Sequence, residues 1–405
     1  MKETKFKNTE IGRIPEEWET LYIHQITEIS TGATPSTNIN EYWENGTIRW
    51  MSSGELNNKI IYDVNGRITQ KGYDNTGTHM LPENCVLIGL AGQGKTRGTA
   101  AYNKVELCTN QSIAAILPNS KYESKYLYFY IDSLYDKLRL LSAGDGGRGG
   151  LNKQILQNLE IAMPPLNEQH HIASALTSID NLISSLGKLI EKKKNIKQGA
   201  MQQLLTGKTR LKGFNEPWME KKLGDIGSLA MCKRIFQEET SEKGDVPFYK
   251  IGTFGQQADA YITKGKYEQF KQMYRFPQKG DVLISAAGTI GRTVIYNGEP
   301  AYFQDSNIVW LAHNGKYITN NFLFYIYQRT DWNTEDTTIA RLYNNNFNNT
   351  CIHFPSSITE QQAIANILSK MDNEITALET KKAKYEAIKQ GMMQQLLTGK
   401  IRLIS

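Results

Sequence analysis

One run of residues in the chain has the spacing of a nucleotide-binding loop. Residues 89–96 read GLAGQGKT and satisfy the pattern G-x-x-x-x-G-K-[ST], with an apolar run directly before them. A phosphate-binding loop of this kind must open a helix, because the helix N-terminus holds the phosphates. The following residues 97–103 instead have the small-residue breaks and composition of a strand, and the corresponding loop 287–293 lacks the spacing. Nucleotide binding is therefore the weaker interpretation of this loop.

The same two loops carry side chains that suit contact with DNA. Their glycines allow close approach of the backbone, and Lys95, Arg97 and Arg292 can reach phosphate or guanine. Gln93 can pair with adenine, and Thr289 is a further polar candidate in the second loop. The alternative is an ordinary hairpin turn with solvated cations. Loss of DNA affinity on substitution of Lys95 and Arg292 would separate the two.

Further candidates lie in segments that occupy similar places in the two halves of the chain. The glycine-rich residues 144–150 contain Arg148, and their counterpart in the second half contains Arg341 and Asn344. A basic or amide-rich loop suits DNA contact, and a plain linker is the alternative. The remaining candidates are Ser52, Ser53 and Lys250, together with a basic and aromatic cluster of Lys271, Tyr274 and Arg275, for which a solvated face is the alternative.

The sequence offers no set of residues typical of catalysis or of metal binding. His170 and His171 have no second pair of ligands, so they favour a solvated helix end over a metal site. The four cysteines are far apart and form no Cys-x-x-Cys pair, which indicates a reducing cytoplasm. Neither a Pro-Pro-Tyr methyltransferase signature nor a glycine-rich cofactor fingerprint is present. We predict a non-catalytic protein that binds no metal and no cofactor itself.

Charge and hydropathy narrow the class of partner. The net charge of the 405 residues is +6, a weak indication of an anionic partner. The excess is +5 in residues 164–212 and +2 in 356–405, whereas 15–163 and 213–355 are near neutral. A partner protein would then supply much of the grip on phosphates, unless the cations cluster in space. No apolar run is long enough for a membrane helix, and residues 1–10 do not resemble a signal peptide, so we expect a cytoplasmic protein without membrane contact.

The two basic segments, 164–212 and 356–405, contain the two copies of an internal repeat. Residues 166–211 align without a gap to residues 358–403, and about half of the positions are identical. Apolar residues alternate at gaps of four and three, the seam of a coiled coil, in both copies. Proline precedes each copy, and Thr-Gly follows the last apolar pair of each copy, as expected of helix ends. The sequence predicts two long helices that pack together as an antiparallel coiled coil.

The segments before the two helices correspond more weakly. Each combines strand-like runs, a glycine-rich loop and an aromatic helix, so each is predicted to be a mixed α/β module of ordinary domain size. The predicted organisation is a tail at 1–14, a first module at 15–163, a central spacer helix at 164–212, a second module at 213–355 and a C-terminal spacer helix at 356–405. Similar helices with diverged modules indicate one shared task for the helices and different targets for the modules.

This order of module and helix resembles the specificity subunits of type I restriction-modification enzymes. The resemblance covers essentially the whole chain and includes the opening IGRIPEEW at 11–18, PPLNEQ at 164–169 and the two QQLLTGK helix endings. The chain departs from the pattern at 355–358 and at 215–218, which affects the expected boundaries only.

The resemblance implies what each part does. Each module would be a target-recognition domain that reads one half of a bipartite site in double-stranded DNA, related to its partner by an approximate two-fold axis. The helices would set the unread gap and dock two methyltransferase subunits, which bind S-adenosylmethionine. Restriction subunits, with ATP and Mg, would complete the complex. A coiled-coil scaffold with no role on DNA is the alternative from another class.

Overall fold

The computed structural model describes residues 4–92, 94–142, 150–332 and 341–404. It divides into two compact units, the first made of residues 1–187 and 380–405 and the second of 188–379. Each unit therefore contains one mixed α/β module, the first half of one long helix and the second half of the other. The mixed α/β class predicted from the sequence is confirmed.

The first unit contains twelve strands and five short α-helices among its described residues, besides its share of the long helices. In chain order they are β1 (Phe6–Thr9), β2 (Gly12–Pro15), β3 (Glu19–Tyr22), α1 (Ile23–Ile26), β4 (Ile29–Thr31), β5 (Ile48–Met51), β6 (Ile60–Ile61), β7 (Arg67–Ile68), α2 (Gln70–Asp74), β8 (Val86–Gly89), β9 (Ala100–Asn103), β10 (Cys108–Thr109), β11 (Ile113–Ile116), α3 (Ser124–Ser133), α4 (Tyr135–Leu141), α5 (Lys153–Gln157) and β12 (Glu160–Met163). The long helix α6 (Leu166–Leu204) follows.

A five-stranded sheet with the order β4-β11-β8-β9-β6 forms the centre of the first module. Both faces of this sheet are buried, because successive side chains of a strand point to opposite faces. Val86 and Ile88 of β8 face the core shared with α3 and α6, whereas Leu87 faces a second core beside the sheet β10-β5-β7. Continuous apolar runs in the sequence, rather than alternating ones, are the consequence.

The second unit repeats this topology. Its elements are β13 (Trp218–Lys222), α7 (Leu223–Ile226), β14 (Ser228–Met231), β15 (Val246–Tyr249), β16 (Tyr261–Ile262), α8 (Lys264–Met273), β17 (Val282–Ser285), β18 (Thr293–Ile295), β19 (Tyr302–Phe303), β20 (Ile308–Ala312), α9 (Asn320–Tyr327), α10 (Asn344–Asn349), β21 (Cys351–Pro355) and the long helix α11 (Ile358–Leu396). The sheet β14-β20-β17-β18 corresponds to β4-β11-β8-β9, and β19-β15-β16 corresponds to β10-β5-β7. The two modules are thus copies of one fold.

The two long helices have the same length and the predicted buried seams. Each spans 39 residues, about 58 Å at 1.5 Å per residue. Ile172 and Leu176 in the first, and Ile364 and Leu368 in the second, are almost completely buried. Gly207 and Gly399 follow the helices with φ of +70° and +68°, the left-handed region in which glycine terminates a helix without strain. No helix among the described residues is long and apolar enough to span a membrane.

The helices run antiparallel within each unit. In the first unit Lys389 of α11 pairs with Asp180 of α6 at 2.7 Å. In the second unit the repeat-equivalent residues exchange helices, and Lys197 of α6 pairs with Asp372 of α11 at 2.5 Å. The same bond therefore forms twice from duplicated sequence.

A buried carboxylate ties the start of α6 to the end of the chain in the first unit. Glu168 accepts hydrogen bonds from Arg402 Nε at 2.7 Å, from Arg402 Nη2 at 2.8 Å and from Trp18 Nε1 at 3.0 Å. The hydrogen bonds from Arg402 to Glu168 raise the pKa of the guanidinium above its ordinary value. The fork geometry of arginine fits a carboxylate, so this group fixes module, helix and tail together.

The second unit contains the equivalent group. Glu360, at the start of α11, accepts from Arg210 Nε at 2.7 Å and from Arg210 Nη2 at 2.8 Å. Arg210 follows the end of α6, as Arg402 follows the end of α11. Each helix start is thereby clasped by the residues that follow the other helix.

Candidate nucleic-acid interface

The glycine-rich loop of the first module connects two strands of its central sheet. It joins β8 to β9, which are antiparallel neighbours, and no helix begins among its described residues 90–92 and 94–99. Gly89 ends β8 so close to the loop that an added Cβ would lie 2.2 Å from the carbonyl oxygen of Thr96. The prediction that a strand follows the loop is confirmed, because β9 begins at Ala100.

Several segments meet this loop at one end of the first module's central sheet. We call this end of the sheet the loop end. It is marked by residues 90–99 in the first module and by residues 286–292 in the second. Leu90 N donates to the carbonyl of Ser112 at 2.8 Å, and Asn110 N donates to the carbonyl of Met51 at 3.1 Å. Ser52 and Ser53 directly follow Met51 and are half-buried. The loop end of the first module thus gathers three polar segments far apart in sequence.

The predicted residues of the first loop have different surroundings. Lys95 is exposed, and its carbonyl oxygen accepts from Thr99 Oγ1 at 2.6 Å. Arg97 is half-buried. Ser52 caps the short 3-10 helix Ser53–Asn58 through Glu55, whose carboxylate accepts from both Ser52 N and Ser52 Oγ. Gln93 and Arg148 lie outside the described residues.

The second module presents the equivalent loop at the equivalent end of its sheet. Residues 286–292 join β17 to β18, and Arg292 precedes β18 directly. Ala286 N donates to the carbonyl of Asn307 at 2.7 Å, and Leu342 N donates to the carbonyl of Ala286 at 2.9 Å. Arg341 Nη2 donates to Ser306 Oγ at 3.0 Å. The fold therefore brings Arg292 and Arg341 to one end of the sheet, although they are 49 residues apart in the sequence.

Other second-module candidates lie around the same loop end. Gln304 N donates to the carbonyl of Tyr249 at 2.9 Å, the counterpart of the bond between Asn110 and Met51 in the first module. Lys250 follows Tyr249 as Ser52 follows Met51, and its ammonium pairs with Asp259 at 2.9 Å. Thr289 is exposed, and its carbonyl accepts from Ser285 Oγ. Asn344 is an exposed first residue of α10.

The predicted cluster of Lys271, Tyr274 and Arg275 is divided among different partners. Lys271 Nζ lies 5.2 Å from the ring centre of Tyr267, and the ring of Tyr274 is covered by another lysine, Lys233. Arg275 Nη1 donates to Ser228 Oγ at 3.3 Å. Ser228 pairs with Ala312 at one end of this sheet, whereas Thr293, beside Arg292, pairs with Ile284 at the other end. Arg275 therefore lies at the end of the sheet opposite the loop end.

A family model described as the type I restriction modification DNA specificity domain matches residues 15–198 and, a second time, residues 215–390. The chain belongs to this family.

Individual relatives cover most of the chain. A putative type I restriction enzyme specificity subunit of Haemophilus influenzae is 38% identical over 288 residues, which cover 68% of this chain and 74% of the relative. The MjaVIII specificity subunit of Methanocaldococcus jannaschii is 26% identical and covers 99% of this chain and 97% of the relative. The crystal structure of a type I S subunit from M. genitalium superposes with a TM-score of 0.63 at 16% identity over 97% of this chain and 98% of that one, which shows the shared fold.

In this specificity-family member, the sequence did not indicate the residues that hold the loops in place. Tyr135 and Arg139 of α4 donate to backbone carbonyls of the first loop, and Ser285 bonds the second loop internally. The first two form an i,i+4 pair directly before the glycine-rich residues 144–150, a signal that could have drawn attention to them.

The described residues contain no group of three or more His, Cys, Asp and Glu side chains that could hold a metal ion. Of the predicted solvated pair, His170 faces an acid: its Nδ1 lies 2.8 Å from a carboxylate oxygen of Glu123.

Proposed function

We propose that this chain is the DNA-reading subunit of a type I restriction-modification enzyme, in which the module at 15–163 reads one half of a bipartite site and the module at 213–355 reads the other. The observation that supports this best is the repetition of the loop end. Two modules of one fold present corresponding loops with different residues, which is what two readers with different targets require.

The loop ends have the chemistry of a DNA reader. Exposed Lys95 in the first module and half-buried Arg292 and Arg341 in the second are suited to phosphate oxygens and to the O6 and N7 atoms of guanine. Ser52, Thr289 and Asn344 add neutral donors and acceptors. Arg275 is left out of this surface by its place at the far end of the sheet.

The long helices are proposed to set the unread gap between the two half-sites. In support, the clasps and the duplicated Lys–Asp bonds fasten each module to the helix segments of its own unit in the same way. The repeated helix surface is proposed to dock two methyltransferase subunits, because duplicated residues offer the same contacts twice. In this proposal the chain itself is not catalytic, S-adenosylmethionine is bound by the methyltransferase subunits, and ATP and Mg are bound by restriction subunits.

The test is genome-wide mapping of methylated bases in a host that expresses the partner methyltransferase, with and without this chain. A split motif that appears only with the chain is the expected result. A chain that binds the methyltransferase but changes no methylation would be a scaffold, and the proposal would be wrong.

The gap-setting role needs a separate test. One helical turn of four residues would be inserted between residues 187 and 188 of α6 and between the repeat-equivalent residues 379 and 380 of α11. Since a turn adds about 5.4 Å and a base pair rises about 3.4 Å, the unread gap should grow by one or two base pairs. Both half-sites should keep their bases; altered half-sites with an unchanged gap would contradict the role.

A further inference from the structure

Two side chains of α4, a helix outside the loop, donate hydrogen bonds to the backbone of the first module's loop. Tyr135 Oη donates to the carbonyl oxygen of Lys95 at 3.1 Å, and Arg139 Nη1 donates to the carbonyl oxygen of Gly94 at 2.7 Å. The two side chains also contact each other, because Arg139 Nη1 lies 3.2 Å from Tyr135 Oη and its guanidinium carbon lies 5.6 Å from the centre of the tyrosine ring. These two hydrogen bonds are made to the backbone of Gly94 and Lys95 and leave the ammonium of Lys95 exposed.

The helix that carries this pair is itself fixed in the core. Leu138, between the two residues in sequence, is fully buried in the core under the central sheet. Gly98 of the loop packs beside α4, because a Cβ added to it would be in van der Waals contact with Arg139 Cγ, at 3.4 Å. The φ of Gly98 is +82°, which glycine adopts without strain. The loop and α4 are therefore fitted to each other along more than one contact.

In the second module the equivalent loop is held by a side chain of the preceding strand, Ser285, which bonds to the loop's own backbone. Ser285 is buried, and its Oγ donates to the carbonyl of Thr289 at 2.6 Å and accepts from Arg292 N at 2.9 Å. The position of Ser285 at the end of β17 corresponds to Gly89 at the end of β8, where no side chain is available. The two modules thus stabilise their equivalent loops with different side chains.

We propose that Tyr135 and Arg139 are positioning residues that fix the backbone around Lys95, and so determine how strictly the first module discriminates its half-site, while Ser285 does the same for the second. The proposal rests on the proposed reading of two half-sites. Its physical basis is the entropy of a glycine-containing loop. A loop that is already ordered loses little freedom on binding DNA, and it admits fewer alternative contacts with wrong bases.

The variants are chosen to separate positioning from direct contact with DNA. Tyr135→Phe removes the hydroxyl and leaves every charge in place. Arg139→Gln removes a charge as well, and Lys137→Gln is its matched control, because Lys137 is exposed on the same helix and is two residues from each of the pair. Ser285→Ala tests the second loop. Each variant chain is assembled with the methyltransferase, and methylation is mapped over all sites with a single mismatch.

Tyr135→Phe and Arg139→Gln are expected to relax one half of the motif and Ser285→Ala the other. Discrimination against mismatches in the affected half should fall about fivefold, the effect of one net hydrogen bond. Tyr135→Phe should leave the salt dependence of DNA binding unchanged, whereas loss of a phosphate contact would lower its slope by about 1. Lys137→Gln should keep both halves. Unchanged motifs in the two α4 variants, or equal relaxation of both halves, would overturn the proposal.

Amide hydrogen exchange decides the positioning role without DNA. The amides of Gly98 and Thr99 donate to the carbonyls of Gly89 and Thr96 in the free loop. Tyr135→Phe should raise their exchange about fivefold over the wild-type chain, while amides of β11 stay unchanged. If the wild-type chain directs no methylation, the proposed function fails; faster exchange would still support positioning, and equal exchange would overturn it.

Discussion

Glu168→Gln should loosen the start of α6 by an amount that can be worked out from its contacts. Glu168 is 2% exposed and the side chain of Arg402 is 7% exposed, so the ion pair between them is largely removed from water. Removing one charge of a buried pair costs about 3–5 kcal/mol in typical cases. Arg402 keeps Glu17 as an exposed second partner, so we expect the lower figure, about 3 kcal/mol, here. The glutamine oxygen can still accept from Arg402 or from Trp18, which places the estimate at the low end.

The assay is native-state hydrogen exchange in the first turns of α6, residues 166–176. A loss of about 3 kcal/mol corresponds to roughly 150-fold faster opening. Glu17→Gln is the matched control, because Glu17 binds the same arginine at 2.9 Å but is 68% exposed. A solvent-exposed partner contributes about 0–1 kcal/mol. Equal effects of the two substitutions, or no effect of Glu168→Gln, would refute the reasoning from burial.

Three further outcomes follow from the loop ends and from the thiols. Gly291→Ala should destabilise the second module by about 1–2 kcal/mol and relax one half-site, because φ is +86° and the new Cβ would lie 2.8 Å from Trp332 Nε1; urea unfolding and methylation mapping check this. Lys95→Ala should weaken DNA binding by a similar factor on every sequence and lower the slope of the logarithmic salt plot by about 1, and an unchanged slope would exclude a phosphate contact. In the native chain a thiol reagent should modify Cys351 first, since burial raises the pKa of the other three thiols; the buried ones are Cys85 (about 12), Cys108 (about 11) and Cys232 (about 12). Rapid reaction of all four before unfolding would contradict this burial.

The sequence by itself determined the elements whose signals are local. The alternating apolar residues of the repeat predicted two long helices, and the structure buries Ile172 and Leu176 as that pattern requires. The small residues after Lys95 predicted a strand where a phosphate-binding loop would be followed by a helix, and β9 is that strand. Duplication in one chain also predicted two modules of one fold, since similar residues form similar contacts.

Only the tertiary structure decided which distant side chains meet. Arg402 and Glu168 are 234 residues apart, and no local pattern pairs them. Arg275 and Arg292 were both candidates for DNA contact, yet strand direction places them at opposite ends of the sheet. Tyr135 and Arg139 reach the backbone of the first loop because Leu138 packs α4 into the core of the module. Such contacts are set by the path of the whole chain, because hydrophobic burial fixes the elements and the polar partners follow from where those elements lie.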